Sequence, residues 1–293
     1  MKKIAVIYVL LAGILWGIMG IFVRTLQNVY GFSSLEIVFL RITIAAIAFV
    51  LLSLFKGKDA LKLKLCDIPL ILLMGSCSVV LMALTYFLSM QYSSLAVAAI
   101  LLYTAPIFVM VSSLFLFKEN LTAIKVLSVT LAFVGFVLVS GITSGKSNVT
   151  FMGVLMGLLS AITYASYSVF GKYALKKNDS FKVTTWAFVF ASLTTLLFTD
   201  CKSVVSTIVC DEKPLLLVLI IVLFGISSAF LPFLFYTKGL SCLPASKASI
   251  LASVEPLVAA VTGIVVFHEK LTVYIAVGIA LIFTSVVLTA KND

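Results

Sequence analysis

The stretch "ILASVEPLVAAVTGIVVFHEKLT", residues 250–272, is a long apolar run with a carboxylate and a proline, Glu255-Pro256, at its centre. A charge at membrane depth is costly, and a proline removes one helical hydrogen bond. Some demand of fold or function must keep the pair there. Earlier in the chain stands "LLYTAPIFVMVSSLFLFKENLT", residues 101–122, built on the same plan without the acid.

Both stretches belong to a chain that is oily throughout. Of its 293 residues 62% are hydrophobic and 11% charged, where a soluble domain is about half apolar and a quarter charged. Apolar runs long enough to cross a bilayer, about 20 residues each, recur from end to end. Ten are read, near 4–23, 33–55, 68–89, 95–117, 122–141, 151–173, 181–199, 214–237, 245–267 and 271–290. The connections are short, so the fold class is an all-α integral membrane protein with ten transmembrane helices. The opening "MKKIAVIYVLLAGILWGIMG" is too long for a signal-peptide core and is followed at once by a second span, so it is taken as the first membrane helix. With the amino terminus in the cytoplasm, 15 lysines fall inside and 5 Lys or Arg outside, Arg41 lying within a span. That bias places both termini in the cytoplasm of a cell membrane. The net charge of +10 is thereby topological, and no nucleic-acid partner is expected. The five cysteines lack metal-ligand spacing; Cys201 and Cys210 share an outer loop, where they either pair or, as favoured, remain thiols. No cofactor or metal is expected. "GITSGKS", 141–147, has one residue too few between its glycines for a phosphate loop and follows a membrane helix instead of a strand.

Residues 86–139 lie over 236–289 without a gap. Pro106 meets Pro256, Glu119 meets Glu269, and Leu121-Thr122 meets Leu271-Thr272. The first spans of the two halves match at an offset of 148, Trp16 with Tyr164 and Arg24 with Lys172. Each half holds five spans, an odd number, so the copies are inverted in the membrane: 1–145 is one five-helix repeat and 146–293 the other. Inverted repeats mark secondary transporters, with the substrate site at mid-membrane between the halves.

The order of "GILWGIMGIFVR", the Arg in "FLRITIAAIAF", and the two quoted stretches resembles the drug/metabolite transporter superfamily, specifically its EamA-type members. The resemblance covers the whole chain. It implies gradient-driven export or exchange of small metabolites, often amino acids, and a central cavity between spans 1–4 and 6–9, with spans 5 and 10 peripheral.

Glu255 is the foremost candidate, either a proton- or amine-binding group or a hydrogen-bonded packing element. A stripe of small residues with it (Ala248, Ala252, Ala259, Thr262) is expected to face protein, and Ile250, Leu257, Val261 and Ile264 to face lipid. Pro106 and Pro256 free the carbonyls of Leu102 and Ala252, as hinges or as static kinks. Arg41 either binds a substrate carboxylate or, as favoured, forms a structural ion pair with Glu36 or Glu255. Trp16, Tyr86, Tyr103, Tyr164 and Tyr236 either line an amphipathic cavity or pack, and Lys238 either attracts anions or marks the membrane boundary. Gly13, Gly17 and Gly20 are expected to form a close helix contact. Glu119 and Glu269 are expected to serve the starts of spans 5 and 10, and His268 to be solvated. The partners are then a small-molecule substrate, the bilayer and, as coupling ion, protons; the chain acts as a monomer or a homodimer. An amino-acid exporter is the first reading. An exchanger of phosphorylated sugars would want several cations at depth, and an intramembrane enzyme would want polar catalytic groups on facing helices.

Overall fold

A computed structural model describes residues 2–56, 62–140 and 150–291; the segment GITSGKS and the expected repeat boundary at 145/146 lie outside them. The described residues form an all-α bundle of ten membrane helices. These are α1 Lys2–Asn28, α2 Ser34–Phe55, α3 Leu65–Tyr92, α4 Leu95–Phe117, α5 Ala123–Val139, α6 Phe151–Ala174, α7 Ser180–Leu196, α8 Pro214–Cys242, α9 Ala245–Phe267 and α10 Val273–Lys291. Eight are long and apolar enough to cross unaided; α5 and α7 are the two shorter ones, and α7 runs into a short helix, Cys201–Val209, bent 93° from it. That short helix separates Cys201 from Cys210 by about 13 Å of axial rise, and all five cysteines are free.

The backbone repeats as the sequence does, at an offset of 150. A wide turn interrupts α3 at Ser76–Leu81 and α8 at Ile226–Phe230. α4 breaks between Leu102 and Ala105, and α9 breaks at Ser253. Both end on a left-handed residue, Lys118 at φ 53 and His268 at φ 54. Their closing bonds match too, Glu119 N donating to Ser113 O at 3.2 Å and Glu269 N to Gly263 O at 3.1 Å.

The proline pairs explain themselves at these breaks. Proline suits the first turn of a helix, where its missing N–H leaves nothing unmet. Pro106 and Pro256 each stand in the first turn of a new helix, Ala105–Phe117 and Val254–Phe267. Thr104 N and Oγ1 both donate to Leu101 O, at 3.1 and 2.6 Å, and Ser253 N donates to Ile250 O at 3.1 Å. Glu255 therefore stands in the first turn of a helix that begins inside the membrane, where the amide dipoles favour a carboxylate.

Small residues let the helices approach. Gly17 packs against Val258 and the Glu255 carbonyl, whereas Gly20 has open space before it. α5 and α10 cross where Gly135 meets the Gly278 carbonyl, and where Ser285 Oγ donates to Ser128 O at 2.6 Å. These two contacts exchange under the 150-residue offset, as a pseudo-two-fold axis through the crossing requires. The expected face of α9 holds only in part. Ala248, Ala252 and Thr262 are buried, but so is Ile250, and Ala259 is exposed. The break at Ser253 resets the helical register, and the half before it is enclosed on every side.

Candidate functional site

A chamber of about 380 Å³ lies between α1–α4, α6, α8 and α9. It runs from Glu255 and Tyr164 at its floor to Arg24, Gln27, Met90 and Leu95 at its mouth. Neither α5 nor α10 lines it, and α7, expected among the walls, does not reach it either. The second half of α1 supplies Met19, Gly20, Val23, Arg24 and Gln27 after the chain bends at Ile18. Gly31, at φ 73, turns the chain into α2, which adds Ser34, Ile37, Val38 and Arg41. Methionine and phenylalanine make up much of the remaining wall (Met82, Phe87, Met90, Phe224, Phe233), an apolar and adaptable lining.

Two charged residues, Arg41 and Glu255, face this apolar space at depth, with Arg24 at its mouth. The Tyr103 hydroxyl faces the Glu255 carboxylate across the paired breaks of α4 and α9, both residues lining the chamber. Arg41 directs Nη1 toward the Met19 sulfur, and its Nε is buried without a partner. Among the described residues no carboxylate comes within 4.0 Å of it. The ion pair expected with Glu36 or Glu255 does not form. Glu36 lies on the same helix a turn and a half away and takes Ser33 N and Oγ at 2.8 and 2.9 Å, while Glu255 lines the same chamber but stays beyond 4.0 Å. A guanidinium presented to a chamber with its Nε unpartnered and no carboxylate beside it is suited to a planar carboxylate.

Beyond Glu255, away from the mouth, a second void of about 20 Å³ is lined by Ser168, Tyr236, Ser249, Ser253 and Glu255. Tyr236 and Ser168 share a hydroxyl–hydroxyl bond of 2.7 Å, and Tyr167 and Thr237 one of 3.0 Å. Trp16 packs edge-on against Phe233 at 5.1 Å between the two cavities.

The structure thus brings Trp16, Arg41, Tyr86, Tyr103, Tyr164 and Glu255 to one chamber and places Tyr236 and Pro106 at the smaller void. Pro256 is buried outside both linings. Lys238 is exposed, its ammonium 4.8 Å from the Tyr8 ring centre, and lines neither cavity. Sequence reading missed Arg24, Gln27, Ser34 and the methionines. Arg24 looked like an end-of-helix charge, and no pattern separates a cavity-facing Met from a lipid-facing one. Among the described residues no three His, Cys, Asp or Glu converge on a metal site.

A helical bundle of two inverted halves around a charged, membrane-buried chamber is the architecture of a membrane transporter. The chain belongs to the EamA-like transporter family, which matches residues 3–141 and again 151–291. An "Uncharacterized transporter" of Archaeoglobus fulgidus is 28% identical over 94% of this chain and 95% of its own. The "Uncharacterized inner membrane transporter YicL" of Salmonella typhimurium is 25% identical over 97% of this chain and 94% of its own. A crystal structure 18% identical in sequence superposes with a TM-score of 0.81, covering 97% of this chain and 95% of that one. The names point to transport and not to catalysis.

Proposed function

We propose that this transporter moves amino acids or related amphipathic solutes out of the cell by secondary active, alternating-access transport. One observation carries the reading. The chamber presents one unpaired guanidinium, Arg41, and one carboxylate, Glu255, over a wall that is otherwise mostly apolar. A zwitterion with an apolar or amphipathic side chain meets each of these features, its carboxylate at Arg41 and its amine at Glu255. Its volume falls within the range of small-molecule sites, about 300–1,000 Å³. Phosphorylated sugars suit it less: Arg24 is the only second cation in the lining, and it is bonded to Glu269.

The lysine bias supports an inner-membrane orientation with both termini in the cytoplasm, so that the chamber opens outward. Glu255 is the group we assign to coupling, taking up a proton when the substrate amine leaves. The repeats, 1–145 and 146–293, are the two halves that rock. Purified protein in liposomes loaded with unlabelled amino acids should accumulate the labelled counterpart by exchange. Exchange of sugar phosphates with none of amino acids would overturn this assignment.

A further inference from the structure

Glu119 and Glu269 occupy equivalent places but hold unlike partners. Glu119 Oε1 accepts from Ala245 N at 2.8 Å, and Oε2 accepts from the Ser246 hydroxyl. It thereby caps the start of α9, which begins after Pro244 with no side-chain cap of its own. The start of α5 is capped by Thr122 and also holds Glu119 through the Lys125 ammonium, 3.5 Å from Oε2, whereas the start of α10 is capped by Thr272; the two threonines accept from Lys125 N and Ile275 N at 3.3 Å each. Glu269 bonds Arg24 at the chamber mouth, Oε1 to Nη2 at 2.7 Å, with both side chains about half exposed (47% and 50%).

The residues matching Ala245 and Ser246 in the first repeat are Leu95 and Ala96. At the Glu119 end the start of α9 is shut, Ala245 and Ser246 being 0% and 1% exposed; at the Glu269 end Leu95 is 63% exposed and lines the open chamber. Arg24 likewise matches Lys172, which here donates to Leu240 O in the last turn of α8 at 2.9 Å and to Leu243 O in the α8–α9 link at 2.5 Å. The two ends of one inverted pair are thus seen in opposite conditions, one latched and one open.

We infer that Glu119 and Glu269 are alternating latches, each closing its own end of the path by capping the opposite repeat's broken helix. When the chamber opens toward the Glu119 end, Glu119 leaves α9 for Lys172, as Glu269 here holds Arg24. Glu269 leaves Arg24 and turns to the start of α4. The exchange is not even. Ser94 already caps α4, its Oγ accepting from Val97 N at 3.3 Å, and Ala96 offers no hydroxyl where Ser246 does. Gly263 also lets Glu269 fold back on its own helix, since a Cβ there would lie 2.5 Å from Oε2; its counterpart is Ser113. The Glu119 latch is the stronger, which sets the resting state with the Glu269 end open. The inference rests on membership of a transporter family and on nothing about which solute is carried.

Single cysteines at Met90, by the mouth, and at Ser249, behind the latch, report the two ends when the five native cysteines are replaced by serine and the purified protein keeps its melting temperature. In the unaltered latch the Met90 reporter reacts with a soluble maleimide much faster than the Ser249 reporter. Glu119→Ala should speed the Ser249 reporter by about tenfold or more and slow the Met90 one, because a charge-assisted cap is lost against only a surface pair in the other state. Glu269→Ala should shift the ratio the opposite way, and Ser246→Ala should repeat the Glu119 effect more weakly. An unchanged ratio in both Glu119→Ala and Ser246→Ala, or a shift in the same direction for both glutamates, overturns the inference. Where Glu119→Ala does not fold, Ser246→Ala alone decides it. The readout needs no substrate, so a failed amino-acid assay does not bear on it.

Discussion

Two glycines three residues apart on α1 should respond oppositely to the same change. A Cβ built on Gly17 lies 2.5 Å from the Val258 Cβ and 2.7 Å from the Glu255 carbonyl, while one on Gly20 meets nothing within 4 Å. Non-bonded carbon atoms rest at about 3.5–4.0 Å, so Gly17→Ala must push α9 from α1 by roughly 1 Å. Overpacking of that kind costs about 1–3 kcal/mol. Gly20→Ala adds a methyl to the chamber wall and gains the better helix former, worth up to about 1 kcal/mol. The propensity gain is common to both variants, so at about 2–4 °C per kcal/mol for a chain of somewhat smaller size, Gly17→Ala should melt lower than Gly20→Ala by roughly 2 to 12 °C. Thermal unfolding of detergent-purified variants, followed by tryptophan fluorescence, measures this directly. Because the displaced backbone is that of Glu255, Gly17→Ala should also weaken amino-acid binding in the same preparation. If Gly17→Ala melts with the parent, or Gly20→Ala falls as far, the α1–α9 contact is wrong.

Arg41→Lys should leave folded yield intact and weaken carboxylate-bearing solutes by about tenfold or more, since an ammonium cannot match the guanidinium fork; equal loss of yield and binding in a titration would make Arg41 a packing element. Glu255→Gln should keep the fold and the first turn of its helix while transport in liposomes loses its response to an imposed pH gradient; an unchanged pH response would remove Glu255 from coupling. For topology, a cysteine at Ser94 should react with an impermeant thiol reagent on intact cells and one at Asn178, bonded to Asp67 at 3.0 Å, should not. Labelling at Asn178 would reverse the orientation.

Helix count and order were legible in the sequence because a span must supply about 20 apolar residues, and such a run leaves little room for another reading. The repeat was legible for a different reason. Pro106/Pro256 and Glu119/Glu269 are expensive residues in an oily chain, and expensive residues in register do not recur by chance. The chamber was legible only in part. Tyr103, Tyr164, Arg41 and Glu255 stood out as polar groups at depth, but polarity does not reveal partners. Arg41 was expected to be paired because an isolated buried cation is costly; the structure gives it a chamber to face instead. Met19, Met82 and Met90 stayed hidden, since lipid and cavity accept the same side chains.

The pairing of Glu255 with Pro256 is explained by the break that the sequence marked as a hinge or a static kink. A proline in mid-helix removes a bond; a proline in the first turn of a new helix removes nothing. By ending one helix at Ala252 and starting another at Val254, the chain places the amide-rich first turn of a helix inside the membrane. A carboxylate in that first turn is favoured by the aligned amide dipoles, so Glu255 is tolerated there without an ion pair. The twin break before Ala105 has the same helix start without the acid, and Tyr103, within that break, turns its hydroxyl to the chamber floor. The two halves share one backbone device and use it for opposite partners. That asymmetry, a carboxylate from one repeat facing a hydroxyl from the other, makes the floor of the chamber sensitive to any movement of one half against its mate.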